Sequence, residues 1–277
     1  MADKQKTIQS FKTAKAEGQR ITMVTAYDFT TASLLDEAGI DCLLVGDSLG
    51  MVMLGYENTL RVTMDEMIHH TKAVARAAKR ALLVGDMPFL SYHASTEAAV
   101  INAGRFIQEG GAQAVKLEGG SDVIDKVRAI IKAQIPVLGH LGLTPQSVNI
   151  FGGFKRQGQD VEAARQMIDD ALLLQDAGVF GLVLECVPDG LAKMISEKLE
   201  IPTIGIGAGV HCDGQVLVIQ DLLGMFRRMR PKFVKTYMDG GDATISAVKQ
   251  YIQEVQSGEF PAAQHSFPID DSVLAKL

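Results

Sequence analysis

Short apolar runs recur along the chain, and each is followed by a turn and then by a segment with helical spacing of apolar residues. Several runs, such as DCLLVGD, FGLVLECVP and IPTIGIGAG, are apolar at nearly every position instead of alternating with polar residues. Continuous runs of this length indicate strands that are buried on both faces, as in a parallel sheet. We predict eight strands, at Ile21–Tyr27, Cys42–Gly46, Leu82–Gly85, Ala114–Leu117, Pro136–Gly139, Gly181–Leu184, Pro202–Ile206 and Phe233–Thr236.

The segments between these runs predict helices. Thr63–Arg80 begins with a capping threonine and two acids and ends with bases, an order that complements the helix dipole. Glycines follow several predicted helix ends, where a left-handed backbone is often required. The other predicted helices are Thr96–Glu109, Ser121–Ala133, Val161–Ala177 and Asp189–Leu199.

Eight strands that alternate with helices, without a linker, favour an α/β fold of the (β/α)8 TIM-barrel type. We predict a single domain over residues 1–277, with residues 1–15 and 260–277 as peripheral extensions. An open doubly wound sheet is the alternative. It is less favoured because TAYDFTTAS, and not a G-x-G-x-x-G turn, follows the first strand.

Composition narrows the function class. Of the 277 residues, 47% are hydrophobic and 22% charged, and the formal net charge is −6, so nothing favours nucleic acid or an anionic membrane as a partner. The three cysteines lack C-x-x-C spacing and are interpreted as reduced thiols. The polar N-terminus has no apolar core of a secretory signal, and no apolar run approaches the ~18 residues of a membrane span. We therefore expect a cytoplasmic protein.

The residues that end the predicted strands are the candidate site, because active sites of this fold lie at the C-terminal ends of the strands. Asp28 ends the first strand, but it could equally cap the following helix. Strand alternation places Lys116 on the same side as Glu118, two residues later. The other strand-end residues are Asp47, Ser48, Asp86, His140 and Glu185, with the eighth strand ending near Tyr237 and Asp239.

Three acids, Asp47, Asp86 and Glu118, end consecutive strands and would repel one another at a poorly solvated rim. Lys116 supplies one positive charge, and a divalent cation bound by carboxylate oxygens would supply the remainder. Magnesium commonly takes one or two carboxylates and keeps water or substrate oxygens as its other ligands. The sequence therefore predicts a divalent-metal site.

Glu185 lies apart from the acidic cluster, between apolar residues in VLECVP. A carboxylate in such surroundings has a raised pKa and could act as a general base, although a structural or capping role is the alternative. His140, in GHLGLTP, is a possible site residue or a satisfied buried histidine. Two long segments, Met51–Arg61 and Asn149–Asp160, are typical of lids, and GIGAG at 205–209 could cradle an anion or leave room for a ligand.

The motifs VTAYDFTTASLLDEAGID, LLVGDSLGMVMLGYENTLRVTMDEMIHHTKAV, GDMPF, VKLEGG, PVLGHLGLTPQSVN, LECVP and IPTIGIGAG, in this order, closely resemble the ketopantoate hydroxymethyltransferase family. The resemblance runs from about residue 8 to about residue 260. It implies a (β/α)8 barrel, a magnesium ion and a step of pantothenate biosynthesis. The reaction implied is transfer of a hydroxymethyl group from 5,10-methylenetetrahydrofolate to 3-methyl-2-oxobutanoate through a magnesium-stabilised enolate, giving 2-dehydropantoate.

The resemblance also implies roles for residues. Asp47 and Asp86 would hold the metal, with Glu118 completing its acidic shell. Ser48 and Lys116 would bind the oxo acid with Asp47 and Asp86, and Glu185 would be the base. A homo-oligomer, and from the family a decamer, is implied as well.

Two other functions stay open at this point. One is a magnesium-dependent 2-oxo-acid lyase or mutase of the isocitrate-lyase type, although none of the three cysteines stands in a K-K-C-G loop. The other is a non-catalytic metabolite-binding barrel, which would be expected to lose the base or the metal acids.

Overall fold

The computed structural model describes residues 5–153 and 157–277 of the chain. Within these residues, parallel strands form a closed barrel in which each strand pairs with the next and the last pairs with the first. The predicted (β/α)8 fold is confirmed. The strands are β1 (Ile21–Thr25), β2 (Cys42–Val45), β3 (Leu82–Asp86), β4 (Ala114–Glu118), β5 (Val137–Gly142), β6 (Gly181–Glu185), β7 (Thr203–Ile206) and β8 (Gly214–Leu217).

Helices connect the strands, and capping residues mark where several of them begin. Thr63 and Glu66 form the reciprocal capping box at the start of the helix predicted from Thr63. The helices of the described residues are α1 (Ile8–Ala16), α2 (Phe29–Glu37), α3 (Leu49–Val52), α4 (Met64–Ala77), α5 (Thr96–Gln108), α6 (Ile124–Lys132), α7 (Val148–Phe151), α8 (Val161–Ala177), α9 (Asp189–Lys198), α10 (Ile219–Leu222), α11 (Gly240–Ser257) and α12 (Asp271–Leu274).

The chain divides into two compact units. The first comprises Met1–Ile219 and Pro231–Val234 and contains all of the strands named above; the second comprises Gln220–Arg230 and Lys235–Leu277. That residues 1–277 form a single domain stays a prediction, and residues 1–4 of the predicted N-terminal extension lie outside the described residues. None of the described helices combines the length and the apolar character that a membrane crossing requires.

Apolar side chains fill the barrel at the N-terminal ends of the strands. Phe11 of α1 closes this end, where it is buried and packs edge-on against Phe180 with ring centroids 5.9 Å apart. Side chains two residues apart on a strand point to the same face of the sheet. Along a strand, an apolar side chain inside the barrel is therefore followed, two residues later, by an ionisable one nearer the C-terminal end. In four such pairs the core residue comes first: Val84 and Asp86, Ala114 and Lys116, Leu138 and His140, Val183 and Glu185.

The predicted eighth strand at Phe233–Thr236, ending near Tyr237 and Asp239, is wrong. The barrel is closed by Gly214–Leu217, which pairs with β1 and with β7. This strand was missed because GQVL contains only two large apolar residues. The Phe233 ring packs over Gly207, so closely that a Cβ at Gly207 would lie 2.8 Å from the ring. The apolar residue at 233 is therefore explained by this contact and not by a strand.

Gly214 permits this closure, because a Cβ there would lie 2.5 Å from the carbonyl oxygen of Ile21 and 2.6 Å from Cδ1 of Ile204. We expect Gly214→Ala to destabilise the protein by about 1–3 kcal/mol, the usual cost of overpacking. Urea unfolding would measure the loss. Gly104→Ala is the matched control: it lies within α5 with nothing within 4 Å of the added Cβ, and should be neutral or stabilising. Equal stability of the two variants would contradict this account of closure.

Candidate active site

The predicted site residues converge at the C-terminal ends of neighbouring strands. Asp86 pairs in register with Lys116, and Glu118 with His140, so their side chains lie side by side across β3, β4 and β5. Asp47 follows β2 after a single residue, Gly46. These five residues are buried, whereas the side chain of Glu185, at the end of β6, is 18% exposed. The rim therefore contains many ionisable groups close together, with little water to screen the charges they carry.

Lys116 is the cation at the centre of this arrangement. Its Nζ lies 2.8 Å from Oδ1 of Asp86 and 3.3 Å from Nδ1 of His140. Burial alone would lower the pKa of the ammonium, but the carboxylates of Asp86, Glu118 and Asp47 raise it overall. Lys116 is therefore charged throughout the physiological pH range.

Asp47 is held by two partners. Its backbone N–H donates to Oδ2 of Asp86 at 3.2 Å, and its own Oδ2 accepts from Nε2 of Gln146 at 2.9 Å. Burial and the charge of Asp86 raise the pKa of Asp47 to about 7, although Lys116 and Gln146 oppose the shift. The other carboxylate oxygen, Oδ1, has no hydrogen-bond partner among the described residues.

Glu118 lies deeper in the same cluster. Its Oε2 accepts from the backbone N–H of Gln146 at 3.0 Å, and its Oε1 lies 3.6 Å from Nδ1 of His140. Burial raises the pKa of Glu118 well above its usual range, and Asp47 and Asp86 add to the effect. Lys116 opposes the shift, but burial and the neighbouring acids outweigh it and favour the protonated form of Glu118.

His140 connects the acidic cluster to Glu185. An ammonium group has no acceptor, so Lys116 must donate to Nδ1, and the proton of the neutral ring is then on Nε2. That nitrogen lies 3.4 Å from Oε2 of Glu185 and makes no hydrogen bond among the described residues. Burial and the Lys116 charge lower the pKa of His140 well below its usual value, so the imidazole is neutral.

Glu185 is the carboxylate whose surroundings differ most from the others. Burial raises its pKa to about 7, against a smaller lowering by Lys116. Its backbone carbonyl accepts from the N–H of Leu143 at 2.8 Å, and Gly142 lies so close that a Cβ there would be 2.2 Å from that carbonyl oxygen. The glycine thus lets the β5 and β6 strand ends approach each other.

Two strand-end residues have local roles as well. Asp28 caps α2, with its carboxylate accepting from the backbone N–H and the hydroxyl of Thr31, both at 2.8 Å. The capping alternative therefore describes Asp28. Ser48 stands at the start of α3 without capping it, and its hydroxyl lies 2.9 Å from that of Tyr27.

Gln146 and Tyr92 belong to the site and were not predicted from the sequence. The Gln146 side chain donates to Asp47 and to the carbonyl of Met87, both at 2.9 Å, and accepts from the Tyr92 hydroxyl at 2.8 Å. Both residues are buried. The available signal was the polar residue after proline in GLTPQSVN, a loop that follows a strand end, but spacing alone did not assign it a partner.

The remaining loop predictions have mixed outcomes. In Met51–Arg61 the Tyr56 hydroxyl donates to Glu66 at 3.0 Å, and Arg61 lies over the Tyr56 ring; closure of this segment stays a prediction. Of the second predicted lid, residues 154–156 lie outside the described residues. In GIGAG the close neighbours are protein atoms: a Cβ at Gly207 would meet Phe233, and one at Gly209 would lie 2.6 Å from Cβ of Asp189. This packing is sufficient to explain these two glycines.

Comparison with known proteins assigns the family. The sequence profile of ketopantoate hydroxymethyltransferase matches residues 5–263. The chain is 60% identical over 271 residues to the 3-methyl-2-oxobutanoate hydroxymethyltransferase of Clostridium novyi (strain NT), with 98% of each chain covered. It is likewise 60% identical to the enzyme of the same name from Acetivibrio thermocellus, covering 98% of this chain and 96% of that one.

Solved structures show a more distant likeness. Phosphonopyruvate hydrolase in complex with oxalate and Mg++ is similar with a TM-score of 0.62 and 11% identity, over 97% of this chain and 93% of that one. Phosphoenolpyruvate phosphomutase from Streptomyces platensis subsp. rosaceus has a TM-score of 0.60 and 14% identity, over 94% and 92% of the two chains. At these identities the likeness shows a shared fold.

The raised pKa of Glu185 has a consequence for stability. A carboxyl whose folded-state pKa is raised from 4.5 to about 7 favours folding below pH 4.5, and this contribution is lost as pH rises through about 7. Gln cannot ionise, so Glu185→Gln should be more stable than the parent at pH 8.5, by about 3 kcal/mol at most, and the difference should shrink towards pH 5. Thermal melts of both proteins at the two pH values, without added metal, would measure it. A difference that grew towards acidic pH would contradict the assigned ionisation.

Proposed function

Because the chain belongs to the ketopantoate hydroxymethyltransferase family, we propose that this enzyme transfers a hydroxymethyl group to C3 of 3-methyl-2-oxobutanoate, giving 2-dehydropantoate in pantothenate biosynthesis. The observation that carries the proposed mechanism is the separation of two kinds of carboxylate on one rim. Asp47 and Asp86 lie together beside Lys116, whereas Glu185 lies beyond His140 in a less charged setting. One group suits ligand binding and the other suits proton transfer.

We place Mg²⁺ at Asp47 and Asp86. The donor set fits: two adjacent carboxylates are available, and Oδ1 of Asp47 has no protein hydrogen bond among the described residues. Within the described residues, no group of three or more His, Cys, Asp or Glu side chains is arranged to hold a metal ion, so the proposed site has only two protein carboxylates. A two-carboxylate site completed by water and substrate oxygens is usual for Mg²⁺, and Glu118 would then contribute charge around it.

The oxo acid would bind beside these carboxylates. Its own carboxylate needs a positive environment, which the buried Lys116 ammonium supplies. Ser48 follows Asp47 directly and presents a hydroxyl oriented by Tyr27. When bound, the divalent cation would supply Lewis-acid stabilisation of negative charge on the keto oxygen.

Glu185 would remove the proton from C3 of the oxo acid. A pKa of about 7 suits a general base, because the carboxylate is largely deprotonated at neutral pH yet still basic enough to accept a proton. The neutral His140 ring, 3.4 Å away, brings no competing positive charge to the base. In the net reaction, the enolate carbon would form a C–C bond to the one-carbon unit, and water would supply the hydroxyl oxygen. The bonds from that carbon to the two folate nitrogens would break, which releases tetrahydrofolate.

The one-carbon donor we propose is 5,10-methylenetetrahydrofolate, on the ground of family membership. We propose the cytoplasm as the location, in keeping with the reduced state of Cys42, Cys186 and Cys212, which form no disulfide within the described residues. Assembly into a homo-oligomer, with the family's decamer as its form, stays a prediction. It is in keeping with an exposed apolar stripe on α11, formed by Ile245, Val248, Tyr251, Ile252 and Val255.

Asp47→Asn tests the metal site. Because burial raises the pKa of Asp47, its ionised form opposes folding at pH 8, and the Asn variant should be at least as stable as the parent without metal. Mg²⁺ should raise the melting temperature of the parent but not of the variant, since a ligand stabilises only the state that binds it. Turnover should fall by orders of magnitude. Equal Mg²⁺-dependent shifts in both proteins would remove Asp47 from the site.

Glu185→Gln tests the base. With Mg²⁺ and 3-methyl-2-oxobutanoate in D₂O and no folate, the parent should exchange the C3 proton, and the variant should do so about 10²–10⁴-fold more slowly. The parent rate should fall as pH drops below about 7, where Glu185 becomes protonated. Proton NMR of the oxo acid follows the exchange directly and separates it from folate binding and product release.

The matched control is Glu162→Gln, an exposed acid in the first turn of α8, which should exchange at the parent's rate. Exchange by Glu185→Gln at the parent's rate would show that the base is another group. Absence of exchange in the parent would count against the proposed deprotonation.

A further inference from the structure

Gln146 is the residue in which the hydrogen bonds of the acidic rim meet. It stands in the 3-10 turn Pro145–Ser147, which follows β5, yet its side chain reaches groups that follow β2 and β3. The side-chain amide makes three hydrogen bonds: Nε2 donates both of its hydrogens, and Oε1 accepts one bond. A fully engaged amide in a buried place is rigid, because any rotation would leave a polar group unpaired.

The direction of these bonds is fixed by their partners. The Tyr92 hydroxyl accepts from the backbone N–H of Glu118 at 3.2 Å. Its proton has two acceptors within reach, the Glu118 carbonyl at 3.3 Å and Oε1 of Gln146 at 2.8 Å, and the shorter bond goes to Gln146. The amide group must therefore present Nε2 to Asp47, whose carboxylate can only accept when ionised. A directional chain thus runs from the backbone of β4 through Tyr92 and Gln146 to Oδ2 of Asp47.

The two oxygens of Asp47 are made unequal by this chain. Oδ2 is tied to Gln146 at 2.9 Å, whereas Oδ1 has no hydrogen-bond partner among the described residues. The bond to Gln146 also fixes the rotation of the carboxylate, so that one oxygen remains available in a defined place. Such a hydrogen-bonded partner behind a ligand is known to set metal affinity in other proteins.

We propose that Gln146, oriented by Tyr92, is a positioning residue that holds Asp47 with Oδ1 available to the divalent cation. This inference rests on the metal site of the proposed function and deepens it. Gln146 itself is not placed as a ligand of the metal, because it turns the N–H groups of Nε2 towards Asp47 and its Oε1 towards the Tyr92 hydroxyl.

The test compares the binding of Mn²⁺ to the purified protein by electron paramagnetic resonance. Gln146→Met keeps the length of the side chain but removes its polar groups, and should weaken Mn²⁺ binding about 10–100-fold. Tyr92→Phe leaves the Gln146 donors and should weaken binding less. The double variant should be weakened about as much as Gln146→Met alone, because the two residues act in one chain.

Gln175→Met is the matched control. Gln175 accepts from the backbone N–H groups of Glu200 and Ile201, and its side chain makes no hydrogen bond to the rim among the described residues. Its loss should therefore affect stability and not Mn²⁺ binding. Should Gln146→Met prove unfolded, Gln146→Asn, one methylene too short for the bridge, replaces it. Activity of Gln146→Met should also recover at saturating Mn²⁺.

The outcomes separate this inference from the proposed function. Parent-like Mn²⁺ affinity in folded Gln146→Met, while the parent binds the ion, would overturn the positioning role and leave the metal site standing. Equal weakening in Gln146→Met and Gln175→Met would also overturn it, because it would reveal a general effect of destabilisation. A parent that binds no Mn²⁺ would overturn the metal site and this inference together.

Discussion

The rest of the site depends on the electrostatic interaction between the buried Lys116 ammonium and the carboxylates around it. Asp86 takes up that charge directly in a 2.8 Å ion pair, and Asp47 and Glu118 are left with raised pKa values. Burial lowers the pKa of His140, the same charge adds to this effect, and the imidazole is neutral. Within the described rim, therefore, negative charge exceeds positive charge whenever these acids ionise, and a divalent cation would restore the balance.

This charge imbalance also explains why the site needs neutral hydrogen-bonding partners. Gln146 reaches Asp47 with its side chain and Glu118 with its backbone N–H, so it stabilises both acids without adding a charge. A lysine or arginine in its place would neutralise the cluster and remove the electrostatic preference for a metal. The amide instead orients the carboxylate and preserves its attraction for a cation.

Strand periodicity explains how much of this could be predicted from the sequence. The C-terminal ends of parallel strands face one rim, so the ends of the apolar runs predicted that this rim holds Asp47, Asp86, Glu118, His140 and Glu185. Strand β8 was missed because a strand that closes a barrel against Ile21 and Ile204 needs Gly214 where a long apolar run would not fit. Gln146 was missed because its partners are separated from it by up to 99 residues and lie on other strands.

The backbone conformation after Glu185 also determines where this carboxylate lies. Cys186, which follows Glu185 directly, has a φ of 51°, a conformation that residues with a side chain rarely adopt. Its N–H donates to Ile206 at 2.8 Å, and the carbonyl of Glu185 accepts from Leu143. The chain is thus held on both sides, by β7 and by the end of β5, while it leaves the strand in a costly conformation. An ordinary extended residue at 186 would continue the strand past the rim. The left-handed turn instead ends β6 at Glu185, which keeps this carboxylate at the rim, beside His140 and apart from the acids around Lys116.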